Sequence, residues 1–255
     1  MPLFKRYTPY LMLLTLVSCA KKETVTQLEP YLLTLSSQCS VLPEQEKSFM
    51  PKIEGYNLIN VEIDSLYTPT ETTAIENSIK TWENSFVGKS RELKFNISYR
   101  AFSSAERQNA GTTCDYDYGS PDRLSILIET SSTHWNSITG GAGSTTAGIS
   151  YRCYLNHKGL VQQVIILNVS NILNLNLIEA VSLHEIGHAL GLDHSCSFSQ
   201  KTGVPRCDPS NTSSDYYQAV MYPSLTKDPI TNQTIDKRDI RKNDTDRMSC
   251  LYDTN

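Results

Sequence analysis

Between residues 184 and 194 the chain reads HEIGHALGLDH, which puts three of its five histidines, a glutamate and two glycines into one short stretch. On a helix, residues four apart share a face, so His184 and His188 send two imidazoles to one point, with Glu185 beside them. A third histidine on the same straight helix would lie too far along it. The chain must therefore turn before His194, and Gly191 can take the left-handed conformation that turns it. Three nitrogen ligands suit Zn²⁺ and leave a fourth position for water, which describes an open catalytic site and not a closed structural one.

The remaining pattern predicts what surrounds that helix. Tyr56 to Ile63 reads as a strand, and Thr70 to Phe86 carries Ala74, Ile75, Ile79, Trp82 and Phe86 at helical spacing before a stop at Gly88. Leu93 to Tyr99 alternates as a half-buried strand, and the more uniformly apolar Leu124 to Ile128 suggests a central one, with a polar loop between them. Gly148 to Tyr154 and Gln163 to Val169 follow as strands, with a Gly-rich loop at Thr139 to Thr146 that lacks a phosphate-loop lysine. Asn176 to Leu190 is the histidine helix, capped by Asn176 and Glu179. This order gives an α+β fold with one mixed, twisted sheet.

With 255 residues, a formal charge of -4 and no basic run, the chain offers no surface for nucleic acid. Lys5 and Arg6 precede an apolar stretch from Tyr10 to Val17, the form of an export signal, too short for a stable membrane span. Leu16-Val17-Ser18-Cys19-Ala20 resembles the bacterial lipoprotein signal, in which the cysteine becomes the first mature residue and carries lipid. Ala20 stands where an aspartate would mark inner-membrane retention, so the resemblance implies an exported protein anchored in an outer membrane, periplasmic or at the cell surface. The expected organisation is a signal peptide over 1–18, a lipidated N-terminus and tether over 19–50, and one domain over 51–255, with a short helical piece around Tyr31 to Leu35. Six further cysteines in an oxidising compartment argue for up to three disulfides among fifteen possible pairings, Cys196 with Cys207 being the nearest in sequence.

HEIGHALGLDH matches the extended zinc signature HExxHxxGxxH of the metzincin metalloproteases. Ala219-Val220-Met221-Tyr222-Pro223 is similar to the methionine turn of that family in its matrixin form, and Ser195 after the third histidine points to the same branch. Asp244 to Tyr252 resembles the matrixin C-terminal helix. The resemblance implies a zincin-like fold with an active-site helix, a Met-turn and a C-terminal helix. It also implies one catalytic Zn²⁺ on His184, His188 and His194, Glu185 as catalytic base, Gly191 at the turn, Met221 as the hydrophobic floor under the ligands, Pro223 in the same methionine turn, and the region after Pro223 as the wall of the specificity pocket. By the same resemblance Gly148 to Tyr154 is the edge strand along which substrate lies.

The expected activity is that of a zinc metalloendopeptidase, hydrolysing peptide bonds by Glu185-assisted attack of zinc-bound water. Its expected partners are a protein or peptide substrate and, through lipid on Cys19, a membrane; the chain is expected to be a monomer. Two other readings use the same residues: a surface binding lipoprotein whose zinc site is not catalytic, and a metallohydrolase acting on cell-wall amides. The histidine and aspartate set of a second, structural zinc is missing, since only His134 and His157 remain, and both read as solvated or hydrogen-bonded. Support for Ca²⁺ is confined to CDYDYGSPD at 114–122, which lacks the spacing of a calcium motif and reads as a surface loop.

Overall fold

The computed structural model describes residues 17–18, 20–23, 57–89, 91–110, 112, 123–141, 146–155, 159–172, 174–199, 203–225 and 237–253. In chain order these form β1 (Val17–Ser18), β2 (Ala20–Glu23), β3 (Leu58–Asp64), α1 (Pro69–Ser85), β4 (Lys94–Arg100), α2 (Ser104–Asn109) and β5 (Arg123–Ile128). They continue as α3 (Ser132–Thr139), β6 (Gly148–Leu155), β7 (Gly159–Leu167), α4 (Leu175–Ala189), α5 (Asp215–Gln218), β8 (Ser224–Leu225) and α6 (Lys242–Tyr252). Cys19, Tyr31 to Leu35, the 114–122 loop and His157 lie outside the described residues.

Six strands form one sheet in the order β2-β6-β7-β5-β3-β4, and β1 pairs with β8 in a separate two-stranded piece. β6 runs antiparallel to β7, whereas the other neighbours in the large sheet are parallel. The fold is α+β with a mixed sheet, as the element order predicts. Central β5 is apolar apart from Arg123 and Ser125, and it is buried from Leu124 to Ile128 because both its faces are covered. Leu124, Ile126 and Ile128 join Ile59, Val61 and Ile63 of β3 in the core shared with α1 and α4; Leu127 faces the other way, with Ile149, Val164, Trp135 and Ile138. β4, at the sheet edge, is mostly exposed or half-buried.

α1 begins where Thr68 and Glu71 close a capping box and Pro69 supplies a first residue that needs no N–H partner. Its buried stripe of Ala74, Ile75, Ile79 and Trp82 lies against α4. Two side chains tie the helices together: Trp82 Nε1 donates to the Leu183 carbonyl at 2.8 Å and Ser78 Oγ to that of Glu179 at 2.8 Å. These bonds use mid-helix carbonyls and fix how α4 is rotated.

Several boundaries differ from the sequence expectation. The loop between β4 and β5 contains α2, capped by Ser103 and Glu106; it buries no residue and so leaves no apolar period to read. A bidentate pair from Arg107 to the buried Asp64, at 2.8 Å for both bonds, holds α2 to the end of β3. α3 is likewise too short to announce itself, burying only Trp135 and Ile138. β7 starts at Gly159, four residues before the expected Gln163, because it forms a hairpin with β6. The cap of α4 is Asn174, whose side chain accepts from Leu177 N at 2.9 Å; Asn176 Oδ1 accepts instead from Arg238.

The sheet also enters the stretch expected to be a tether, because Ala20–Glu23 pairs with Ile149–Arg152. β6 is therefore flanked on both sides and is not the free edge the sequence suggests. His134 is hydrogen-bonded: Nδ1 lies 2.6 Å from Glu129 Oε2 and Nε2 3.1 Å from the Ala110 carbonyl oxygen.

Candidate metal centre

α4 is buried from Ala180 to Ala189, so its polar residues must find partners within the protein. His184 Nδ1 donates to the Val220 carbonyl at 2.8 Å, and His188 Nδ1 donates to that of Leu192 at 2.8 Å. Because a carbonyl can only accept, both rings carry their proton on Nδ1 and present a bare Nε2. Burial holds both imidazoles neutral. It brings His184 down to about 4 despite the Val220 bond, and His188 well below its ordinary value, where the neighbouring His184 and His194 act in the same direction.

The two Nε2 atoms face each other at 3.1 Å. Neutral rings in these tautomers would oppose two lone pairs at that distance, which calls for a cation. Two nitrogens each 2.0–2.1 Å from a tetrahedral Zn²⁺ would stand roughly 3.3–3.4 Å apart, close to what is seen. His194 completes the set: the ligand atoms of His184, His188 and His194 all lie within 4.8 Å of one another. The three rings can hold one zinc ion.

His194 reaches this position because α4 ends abruptly. Gly191 adopts φ 106°, Leu192 N donates to the Gly187 carbonyl at 3.0 Å and Gly191 N to that of His188 at 3.0 Å, the paired bonds of a Schellman turn. The segment beyond is anchored to the methionine turn through Ser195, whose N–H donates to the Met221 carbonyl at 2.8 Å and whose hydroxyl donates to that of Tyr216 at 2.8 Å. Cys196 and Cys207 form a disulfide with Cα atoms 5.0 Å apart. Closing a loop of that length contributes about 3 kcal/mol in the chain-entropy picture. Cys250 is disulfide-bonded as well.

Met221 is fully buried beneath the helix. A Cβ placed on Gly187 would stand 2.3 Å from Met221 Sδ and 3.0 Å from Trp82 Cζ2, so the thioether occupies the space a side chain at Gly187 would need. A Cβ on Gly148 of β6 would meet Val181 Cγ1 at 2.6 Å and Glu185 Cγ at 2.9 Å. The Glu185 side chain thus runs against bare backbone in the sheet. Pro223 is buried just after the methionine.

α6 frames the centre from behind. Asp244 accepts from Val220 N at 2.8 Å, Met221 N at 3.2 Å and Arg241 N at 3.1 Å, with Arg247 Nη2 3.7 Å away. Burial pushes this carboxyl up, against the Arg247 charge and the three N–H groups that pull it down. Arg247, itself fully buried, donates to the Asp193 carbonyl at 2.8 Å. One ion pair therefore secures the carbonyl partner of His184 on one side and the approach to His194 on the other. Tyr252 Oη closes the frame by donating to the Leu190 carbonyl at 2.7 Å.

The sequence reading did not single out Asp244, Arg247, Gly148 or Gly187. Asp244 and Arg247 lie on the predicted C-terminal helix, at the i, i+3 spacing of an ion pair on one face, the one local hint available. Nothing local marks the two glycines as spacers.

No protein-family model and no curated protein matches this sequence. Among solved structures, the chain is similar to a crystal structure of myroilysin, at 12% identity and a TM-score of 0.39, covering 97% of this chain and 97% of that one. A second myroilysin structure matches at 12% identity and a TM-score of 0.38, covering 92% of this chain and 100% of that one.

Proposed function

We propose that this chain is a zinc-dependent endopeptidase of the metzincin type, matrixin-like in its methionine turn, with His184, His188 and His194 as ligands and Glu185 as the base. The observation that carries this reading is the pair of bare Nε2 atoms 3.1 Å apart, each held in one tautomer by a backbone carbonyl. A Zn²⁺ ion held there would supply Lewis acidity, polarising a peptide carbonyl and lowering the pKa of water towards neutrality. The side chains do the rest. The Val220 and Leu192 carbonyls keep two imidazoles oriented as donors of electron pairs. Glu185, one residue from His184 and confined by Gly148, takes the proton from the attacking water and returns it to the departing amine. Substrate would lie extended against β6, in the place Ala20–Glu23 takes here, with β8 opposite.

An exported, lipid-anchored location is part of the same proposal. The Cys196–Cys207 disulfide supports an oxidising compartment, and the residues around Cys19 support the anchor. The test is incubation of the zinc-loaded protein with a peptide library, with chelator and Glu185→Ala as controls. Cleavage that chelator abolishes and that falls about 10²–10⁴-fold in Glu185→Ala, with zinc content unchanged, is the expected result. Cleavage that survives either control would remove the proposal. For the anchor, labelled fatty acid should enter the wild type and not Cys19→Ala.

A further inference from the structure

Lys237 is buried among aromatic rings, and its ammonium has no hydrogen-bond partner among the described residues. Its Nζ stands 4.8 Å from the centre of the Tyr217 ring and 5.1 Å from that of Tyr222, the residue after Met221. Two aromatic faces return part of the lost hydration, but they accept none of the three N–H bonds. Asp244 is a carboxylate whose field Lys237 feels, yet its oxygens already serve Val220, Met221 and Arg241. Arg241, the other charge that Lys237 feels, is also positive.

Two residues of the segment that follows Met221 are in a similar state. The hydroxyls of Tyr222 and Ser224 are buried with no hydrogen-bond partner among the described residues. Native proteins rarely leave such groups orphaned unless a ligand or solvent completes them. Each of the three can donate, and one is a cation, so the missing partner is an acceptor with negative charge. The position suits a substrate. Lys237 packs on the ring of Tyr222, two residues beyond Val220, whose carbonyl holds His184 Nδ1 at 2.8 Å, and Ser224 is where β8 pairs with an extended chain, opposite Ser18. A peptide lying along β8 passes these groups.

We propose that Lys237, with the Tyr222 and Ser224 hydroxyls, forms a carboxylate subsite beside the metal centre, so that the enzyme selects substrates carrying aspartate or glutamate within one or two residues of the cut bond. This rests on the peptidase reading above and names its substrate class. Burial lowers the Lys237 ammonium to about 8, which leaves it mostly charged at neutral pH.

Two measurements test it. In the first, the zinc-loaded wild type is given paired peptides that differ only as Asp against Asn or Glu against Gln at each position. At one position near the cut, kcat/KM should favour the acid at least tenfold. Lys237→Met, which keeps the apolar stem, should lose that preference while still cutting neutral peptides, and Tyr222→Phe should lose part of it. In the second, the same pairs are bound to zinc-loaded Glu185→Ala protein and to Glu185→Ala/Lys237→Met by calorimetry. The acid should bind at least tenfold tighter in the first protein only. Equal affinity for acid and amide in Glu185→Ala, or an acid preference that persists without Lys237, overturns the subsite. Failure of the wild type to cut any peptide sinks the peptidase reading, and the binding comparison still decides whether the carboxylate site exists.

Discussion

Replacing Gly187 by alanine sets a local preference against a packing requirement, and the two have opposite signs. In a solvated helix, glycine to alanine stabilises by about 0.8–1 kcal/mol. At this position the new methyl would stand 2.3 Å from Met221 Sδ, 3.0 Å from Trp82 Cζ2 and 3.4 Å from Met221 Cε. Favourable carbon contacts sit near 3.5–4.0 Å, so the sulfur must retreat by more than about 1 Å. Methionine is adaptable, but this one is fully buried and its backbone carbonyl is held by Ser195 N. Overpacking of a filled core costs about 1–3 kcal/mol. The 2.3 Å contact puts the packing cost in the upper part of its range, about 2–3 kcal/mol, so it outweighs propensity and we expect a net loss of about 1–2 kcal/mol in the chelated protein. Because Val220, next to Met221, holds His184 Nδ1, zinc affinity should fall at least tenfold too. Urea unfolding in chelator reads the first effect and competition with a chromogenic chelator reads the second. In the Gly187→Ala/Met221→Ala double variant, removing the thioether should relieve the clash, so the cost should be less than the sum of the single changes. An alanine variant as stable as the parent, with unchanged zinc affinity, would refute the reasoning.

Asp244→Asn keeps the volume but turns an amide N–H towards at least one of the Val220, Met221 and Arg241 N–H groups and removes the negative charge 3.7 Å from the buried Arg247. We expect a loss of about 3 kcal/mol, or roughly 6–12 °C in melting temperature for a chain of this size, measured by calorimetry. Gly148→Ala should leave zinc binding in place while turnover drops at least about tenfold, since the added methyl meets Glu185 Cγ at 2.9 Å; parallel measurement of metal content and kcat tests this. For the chelated protein, stability should depend on pH through the imidazoles. His184 titrates at about 4 when folded and near 6.5 when unfolded, so acidification protonates the unfolded chain first and stability falls across that interval by about 3 kcal/mol, with His188 acting in the same direction. Unfolding free energies at pH 7 and 4.5 should converge for His184→Gln/His188→Gln; an equally steep fall in that variant would count against buried neutral imidazoles.

The centre was readable in the sequence to the extent that it is built from neighbours. HEIGHALGLDH encodes a helix pitch, a left-handed stop and a return, all settled within eleven residues, and Gly191 at φ 106° plays the part its place after the helix suggests. The disulfide between Cys196 and Cys207 is local as well. What escaped reading depends on distant partners. Gly187 matters because of Met221, Gly148 because of Glu185, and Asp244 because the Val220 and Met221 amides lie 24 and 23 residues away. α2 and α3 left no signal because one buries nothing and the other two residues. Asn174 and Asn176 offer the same side chain two positions apart, and only the tertiary partner Arg238 distinguishes them.

If substrate lies between β6 and β8 as proposed, the pairing of Ala20–Glu23 with β6, and of Val17–Ser18 with β8, makes access to that position a contest between covalently attached and diffusing peptides. A tethered segment competes at an effective concentration on the order of millimolar, a level few free polypeptides reach. Scission after Ser18 would release only the half seated on β8, while loss of the chain through Glu23 would bare the whole rim, so in the proposed exported peptidase the place of leader cleavage would set how strongly an incoming peptide must bind to be accepted.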